Sequence, residues 1–289
     1  MTTDHRQPKT EAPFYRGRLA PSPTGLLHLG HARTFWIAYE RARKHNGVLV
    51  LRNEDLDPQR SKREYVQAFL EDLQWLGMEW QEGPDIGGPY APYSQSERRK
   101  FYLDAWRTLR DSGAIYPCTC SRKELQQIAS APNEEDDEPI YPGKCRTRDW
   151  DRSIETPAGA NWRFRVPDGE VIAFADGNYG RKEYVAGGDF GDFVIWRRDD
   201  VPAYQLAVVV DDIAMRISEV VRGADLLKST ARQLLLYRAL DAAPPRFYHC
   251  ELMTDANGER LAKRTDALSL RALRQAGHAA PEVLQMAFR

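Results

Sequence analysis

Arg18-Leu-Ala-Pro-Ser-Pro-Thr-Gly25, followed almost at once by His28-Leu-Gly-His31, is the stretch on which the reading of this chain turns. Arg16 to Ala20 is a short strand candidate. The Pro/Gly-rich loop that follows cannot continue it. Beyond the loop, Ala32, Phe35, Trp36 and Tyr39 fall on one face of a helix that Asn46-Gly47 should stop. His28 and His31 therefore open a helix directly after a strand. The dipole and free N–H groups of a helix N-terminus favour anions, and imidazole donors can stabilise charge developing on phosphate. Gly30 removes a side chain where a nucleotide would have to approach closely.

Working outward, Gly47-Val-Leu-Val-Leu51 is a continuous apolar run of the kind a buried parallel strand needs. Ser61 and Glu64 have capping-box spacing ahead of an apolar stripe, Tyr65, Val66, Phe69, Leu70, Leu73 and Leu76, that ends at Gly77. Strand and helix alternate to about residue 115, which predicts an open α/β sheet of the dinucleotide-binding kind. From Pro117 to about Val201 the texture changes to that of an insertion. It holds a cysteine cluster, an acidic patch at Asn133 to Glu138, and an alternating strand pattern at Trp162 to Val166. Helix and strand resume with Tyr204 to Met215, Ile217 to Val221, and a helix carrying Leu234, Leu235 and Tyr237 to Leu240. Asn257-Gly258 signals a hairpin turn between Phe247 to Met253 and Glu259 to Ala262, and two short helical stretches finish the chain. The expected units are 13–116 and 202–243 as two catalytic halves, 117–201 as the insertion, and 244–289 as a basic loop with a helical end.

The 289 residues carry 41 Lys+Arg against 42 Asp+Glu, which argues against a generally cationic nucleic-acid coat but permits a local basic groove. The polar start of the chain has no apolar signal region, and no apolar run approaches the ~20 residues of a membrane span. A cytoplasmic protein without membrane contact is the expectation. In that setting Cys118, Cys120 and Cys145 suggest metal before disulfide. Thiolates at this spacing suit tetrahedral zinc and leave a fourth position open to Cys250, a water or another ligand. Reduced thiols without metal are the alternative.

Together these residues resemble the class I glutamyl- and glutaminyl-tRNA synthetases. His28-Leu-Gly-His31 is similar to the family's HIGH motif with Leu for Ile, and three further segments agree in order: Arg52-Asn-Glu-Asp-Leu-Asp57, Tyr204 to Asp212, and Ile217 to Asp225. The resemblance runs from about residue 16 to 271. It implies a Rossmann-like class I catalytic domain with a zinc-containing insertion and a short C-terminal helical part. It implies a glutamate site of Arg18, Ala20, Ser22, Glu54, Tyr204 and Arg222, and an ATP site of His28, Gly30, His31 and Lys263, with His28, His31 and Lys263 catalytic. Physical chemistry suits the glutamate set. Two carboxylates need two cations, each arginine can hold one bidentately, and Glu54 can pair with the ammonium. Lys263 lies in Arg260-Leu-Ala-Lys-Arg264, which is similar to a KMSKS loop altered at four of its five positions, with Lys263 aligned to the second lysine. The family's Tyr-x-x-x-Cys pattern implies Tyr141 beside Cys145 as the remaining ligands of one structural zinc.

Only 25 residues follow Arg264, so the chain resembles the short members that lack an anticodon-binding domain. The activity this implies is activation of L-glutamate with ATP and Mg²⁺, then transfer to the queuosine base of tRNA(Asp) by a monomer that grips the anticodon stem-loop. A catalytic fragment or discriminating form of a glutamyl-tRNA synthetase, charging tRNA(Glu), is the enzyme alternative. A copy that only binds RNA is the other, and the intact His28, His31, Glu54, Arg222 and Lys263 speak against it.

Overall fold

A computed structural model describes residues 14–120, 140–253 and 269–289. Strand β1 (Arg16–Leu19) leads through the Pro/Gly loop into helix α1 (Leu29–Lys44), and β2 (Val48–Leu51) returns parallel to β1. Asn46 ends the helix region in the left-handed conformation (φ 48°), as the Asn-Gly signal implied. Helix α2 (Arg63–Trp75) follows, then α3 (Arg99–Asp111).

The capping box expected of Ser61 and Glu64 does not form. Lys62 is the N-cap and makes no side-chain cap bond, and the Ser61 hydroxyl is buried without a hydrogen-bond partner. The reason is tertiary. The Ser61 amide is spent on the Asp57 carbonyl and the Lys62 amide on the Pro23 carbonyl, so the segment is held to the loop and the helix starts one residue later.

The stretch after α3 divides between two sheets. Strands β3 (Ile115–Cys118), β4 (Asn161–Phe164) and β7 (Phe193–Trp196) form an antiparallel sheet in the order β3-β4-β7. Strands β5 (Val171–Asp176) and β6 (Gly180–Val185) form a hairpin. That hairpin joins β8 (Glu219–Gly223) and β9 (Arg246–Cys250) in the order β6-β5-β9-β8, with β9 parallel to both β5 and β8. Helix α4 (Tyr204–Ala214) precedes β8 and α5 (Leu227–Ala239) connects β8 to β9, a parallel crossover. Ser218 ties β8 to β1: its amide donates to the Arg16 carbonyl at 2.9 Å, and its hydroxyl accepts the Arg16 amide at 2.8 Å. The C-terminal ends of β1, β2 and β8 thus carry Arg18, Arg52 and Arg222 toward one region, where ligands of open α/β sheets bind. Helices α6 (Leu270–Gln275) and α7 (Ala280–Ala287) close the chain.

Two apolar cores hold this arrangement. One gathers Trp106, Trp162, Trp196, Val208, Leu235 and Phe247, with Trp106 and Trp162 edge to face at 4.9 Å. The other packs α1, α2 and the terminal helices on β1, β2 and β8. No helix among the described residues is long and apolar enough to cross a membrane. The acidic patch at Asn133 to Glu138, the Asn257-Gly258 turn and Lys263 lie outside the described residues.

Candidate active site and thiol cluster

A cavity of about 260 Å³ opens at the strand ends, lined among others by Arg18, Ala20, His28, Gly30, His31, Glu54, Tyr204 and Arg222. Residues as far apart in sequence as Arg18 and Arg222 thus meet in one place. Ser22 is exposed and does not line the cavity.

His28 is the N-cap of α1 and forms a reciprocal capping box with His31. Its Nδ1 accepts the Gly30 amide at 3.1 Å, while His31 Nδ1 accepts the His28 amide at 3.3 Å. This alters the expected role of the helix end, because two of its N–H groups are already taken by imidazoles. It also sets the tautomers. With each Nδ1 accepting, the neutral rings carry their proton on Nε2. Burial, then the neighbouring His28, brings His31 down to about 3, and burial also lowers His28, so both rings are neutral donors near pH 7. Gly30 has a local reason as well: a Cβ there would stand 3.1 Å from His28 Cε1.

The acidic and basic groups are held by one another. Arg52, fully buried, donates from Nη1 to Asp212 Oδ1 at 2.6 Å and from Nη2 to Glu54 Oε1 at 2.9 Å. Asp211 in turn accepts from Arg98, Gln95 and Tyr102. Burial raises the Glu54 carboxyl, opposed by the charges of Arg52 and Arg18. Both bonds from Arg52 reach Oε1, so Oε2 keeps its acceptor capacity for a substrate ammonium.

The two arginines differ. Arg18 donates from Nη1 to the Val221 carbonyl at 2.7 Å, and its buried Nε has no hydrogen-bond partner, with Asp212 Oδ1 3.8 Å away. Arg222 spends Nε on His249 Nε2 (3.1 Å) and Nη2 on Thr230 Oγ1 (2.8 Å). Nη2 also turns toward the Leu226 carbonyl at 3.5 Å, so with Nε and Nη2 both engaged a two-pronged grip by Arg222 is not available as the side chain stands. Arg52, Asp212 and His249 are the groups sequence reasoning did not single out. The first two lay inside quoted motifs; nothing local distinguished His249 from another inward residue of its strand.

Away from the cavity, Cys118, Cys120 and Cys145 are buried with their Sγ atoms within 4.8 Å of one another. The Tyr141 hydroxyl oxygen lies 3.5 Å from the first two and accepts the Cys145 amide at 2.9 Å. Thiolates around a tetrahedral zinc at ≈ 2.3 Å would stand about 3.8 Å apart, so this donor set fits such an ion with little adjustment. Burial alone would raise the Cys145 thiol, but hydrogen bonds from Tyr141, the Thr119 backbone and the two neighbouring thiols bring it down to about 7. Cys250 belongs to the other core and is not in the cluster, which removes it as a fourth ligand.

The model of the catalytic domain of class I tRNA synthetases for Glu and Gln (E and Q) matches residues 15–288. A glutamyl-Q tRNA(Asp) synthetase of Nitratidesulfovibrio vulgaris is 52% identical over 267 residues, 91% of this chain and 82% of that protein. A glutamate–tRNA ligase of a Sulfurihydrogenibium species is 42% identical over 91% of this chain but only 55% of its own length. Among solved structures, the glutamate-tRNA synthetase of Elizabethkingia anophelis superposes with a TM-score of 0.75 at 32% identity, covering 92% of this chain and 54% of the other.

Proposed function

The chain belongs to the class I tRNA synthetases for glutamate and glutamine, and from that premise we propose that it forms glutamyl-adenylate from L-glutamate and ATP and passes the glutamyl group to the queuosine base of tRNA(Asp). The observation that carries the first step is the cavity, where Arg18, Arg222 and Glu54 converge beside a helix end bearing two neutral histidines. Glu54 would take the ammonium, and Arg18 and Arg222 the carboxylates. Tyr204 and Ala20 shape the walls, and Ser22 would act from the rim. The α-carboxylate attacks the α-phosphorus in line, the bond to the bridging oxygen breaks, and pyrophosphate leaves with Mg²⁺. His28 and His31 supply N–H donors to the phosphate oxygens, and Lys263 adds positive charge there. The chain provides no covalent nucleophile in this scheme; it positions the reactants and stabilises charge.

The acceptor follows from likeness. The relative named for glutamyl-Q tRNA(Asp) matches over 82% of its length at 52% identity, against 55% at 42% for the glutamate–tRNA ligase. The same reading gives one structural zinc held by Cys118, Cys120, Cys145 and Tyr141. Zinc there would brace the start of the 117–201 insertion, with 13–116 and 202–243 as catalytic halves and 244–289 as the basic loop and helical end. A monomer acting in the cytoplasm on the anticodon stem-loop completes the proposal.

The test is twofold. Glutamate-dependent exchange of pyrophosphate into ATP should proceed without tRNA, with glutamine a poor substrate because its amide leaves a buried charge unpaired. Labelled glutamate should then reach queuosine-containing tRNA(Asp) and not the queuosine-lacking form. Label on the 3′ end of tRNA(Glu), or exchange only when that tRNA is added, would refute the reading in favour of a glutamate–tRNA ligase.

A further inference from the structure

Arg222 is fixed by a neighbour that has no place in the adenylation scheme. An arginine Nε can only donate, so the 3.1 Å contact from Arg222 Nε to His249 Nε2 requires that Nε2 carry no proton. The ring proton of neutral His249 must then sit on Nδ1, and Asp176 Oδ2 stands 2.6 Å from that atom. Asp176 is itself pinned. Its Oδ1 accepts the amides of Asn178 (3.0 Å) and Tyr179 (2.9 Å) in the β5–β6 turn, and its Oδ2 also accepts the His249 amide at 3.2 Å. The three residues lie on the adjacent strands β5, β9 and β8, with Arg222 and His249 as direct register partners. All three are buried, His249 completely.

We infer that Asp176 and His249 are positioning residues for Arg222, a tautomer lock that holds its guanidinium with one nitrogen, Nη1, left for the substrate. This rests on the reading of Arg222 as a carboxylate-binding residue. The groups facing the His249 ring are Arg222 and Thr230 at Nε2 and Asp176 at Nδ1, with Arg18 acting at longer range. Burial, then the charge of Arg222, outweighs Asp176 and brings His249 down to about 4, so the lock stays in the neutral form across the working range of pH. Burial alone would raise Asp176, but the bonds from His249 and the turn amides hold it below the ordinary carboxylate range. The geometry also explains why a histidine serves here. It spans from an acceptor for a guanidinium to a donor for a carboxylate, two opposite demands that a single rigid ring meets at its two nitrogens.

The experiment measures KM for glutamate and for ATP separately in pyrophosphate exchange, with wild type, His249→Phe, His249→Gln and Asp176→Asn. His249→Phe keeps the ring and removes the acceptor, so the glutamate KM should rise about 10- to 100-fold, the usual weight of a hydrogen bond to a charged group. The ATP KM should stay within about twofold by the same reasoning, since the lock does not touch the ATP-side residues. His249→Gln, whose carboxamide oxygen can stand in for Nε2, should recover most of the loss. Asp176→Asn places an NH₂ donor before Nδ1 and should shift glutamate KM the same way as His249→Phe. Unchanged glutamate KM in both His249→Phe and Asp176→Asn overturns the inference. So does an equal rise of both KM values with a lowered melting temperature, the mark of a merely structural network. Wild type lacking glutamate-dependent exchange would overturn the cavity reading and this inference together; active wild type with unmoved variants overturns only the lock. Nitrogen-15 NMR of the wild-type imidazole serves even if the variants fail to fold: the proton should reside on Nδ1, and a proton on Nε2 refutes the lock.

Discussion

The substrate cavity and the thiol cluster bury polar groups by opposite means. Around the cavity, cations and anions alternate: Arg52 lies between Asp212 and Glu54, and Arg98 meets Asp211. Each charge is stabilised by a partner in the chain, and the geometry is set before substrate arrives. In the cluster, three thiols and a phenol of the same eventual sign are packed together with little apolar sequence around them. Hydrogen bonds among such groups are weak, and their ionised forms repel. A donor set of this kind is stabilised above all by a cation from outside the chain. The first region should therefore fail when one residue is lost, and the second when an ion is lost.

Removing the ion should have the largest effect. Structural zinc sites in small domains bind with about 10–16 kcal/mol, so chelation should release one zinc per chain and expose the amides around residues 140–150 to hydrogen exchange. Glutamate-dependent exchange of pyrophosphate should persist, because no cysteine of the cluster lines the cavity. Protein purified without added zinc that carries no metal, and whose exchange pattern ignores chelator, would erase the contrast.

Next comes the centre of the charged network. Arg52→Met leaves Asp212 and Glu54 without their shared counter-ion in a fully buried position. Loss of one partner of a buried pair costs about 3–5 kcal/mol, readable in urea unfolding. A change below about 1 kcal/mol would mean that the carboxylates take up protons or rearrange without penalty.

These two regions were unequally legible in the sequence. The spacing of His28 and His31 after a strand, and the apolar run ending at Leu51, carried both the α/β class and the position of the cavity, because local pattern and tertiary role coincide there. Arg52 stood in a quoted motif, yet its role depends on Asp212, 160 positions away, and no local property of either residue announces the pairing. Asp176 reads in sequence as a turn residue before Gly177-Asn178; its second role arises only when β5 is laid beside β9. Ser61 shows the converse. A sound local signal was overridden by two backbone bonds, from the Ser61 amide to the Asp57 carbonyl and from the Lys62 amide to the more distant Pro23 carbonyl. The thiols were legible as a group by spacing alone, while the exclusion of Cys250 required the fold.

Within the cavity, Glu54→Gln removes the charge proposed for the substrate ammonium but keeps the shape. Charge-assisted hydrogen bonds are worth about 1.5–3 kcal/mol, so the glutamate KM should rise about 10- to 100-fold while ATP binding holds. An unchanged KM would remove Glu54 from the site. A smaller effect concerns acid. His31 is held near 3 in the folded chain against an ordinary value of 6.5, so the unfolded form binds the extra proton first. The contribution of this group to stability is complete above pH 6.5 and is lost as pH falls toward 3, with a slope of at most about 1.4 kcal/mol per pH unit. His31→Gln should flatten the acid limb of the stability curve relative to wild type; an identical limb would place the ring in solvent contact.

Tyr141→Phe should have the smallest effect and sharpens the comparison most. The Tyr141 hydroxyl oxygen sits 3.5 Å from two of the thiols and takes the Cys145 amide, while its ring lies under the Arg163 guanidinium at 4.0 Å. The guanidinium stabilises negative charge on the ring, which favours the phenol acting as a ligand. Removing the oxygen leaves three thiolates and opens the fourth position to water, so metal should still bind at saturating zinc. It should leave faster, by about tenfold or somewhat more, the usual cost of weakening one contact at a metal centre. Chelator competition followed by a zinc-sensitive dye measures the rate. Full occupancy with unchanged resistance to chelator would assign the fourth position to water and leave Tyr141 as a hydrogen-bond acceptor for the Cys145 amide. In that case the thiol cluster would need even less from its protein surroundings than the contrast with the cavity already implies.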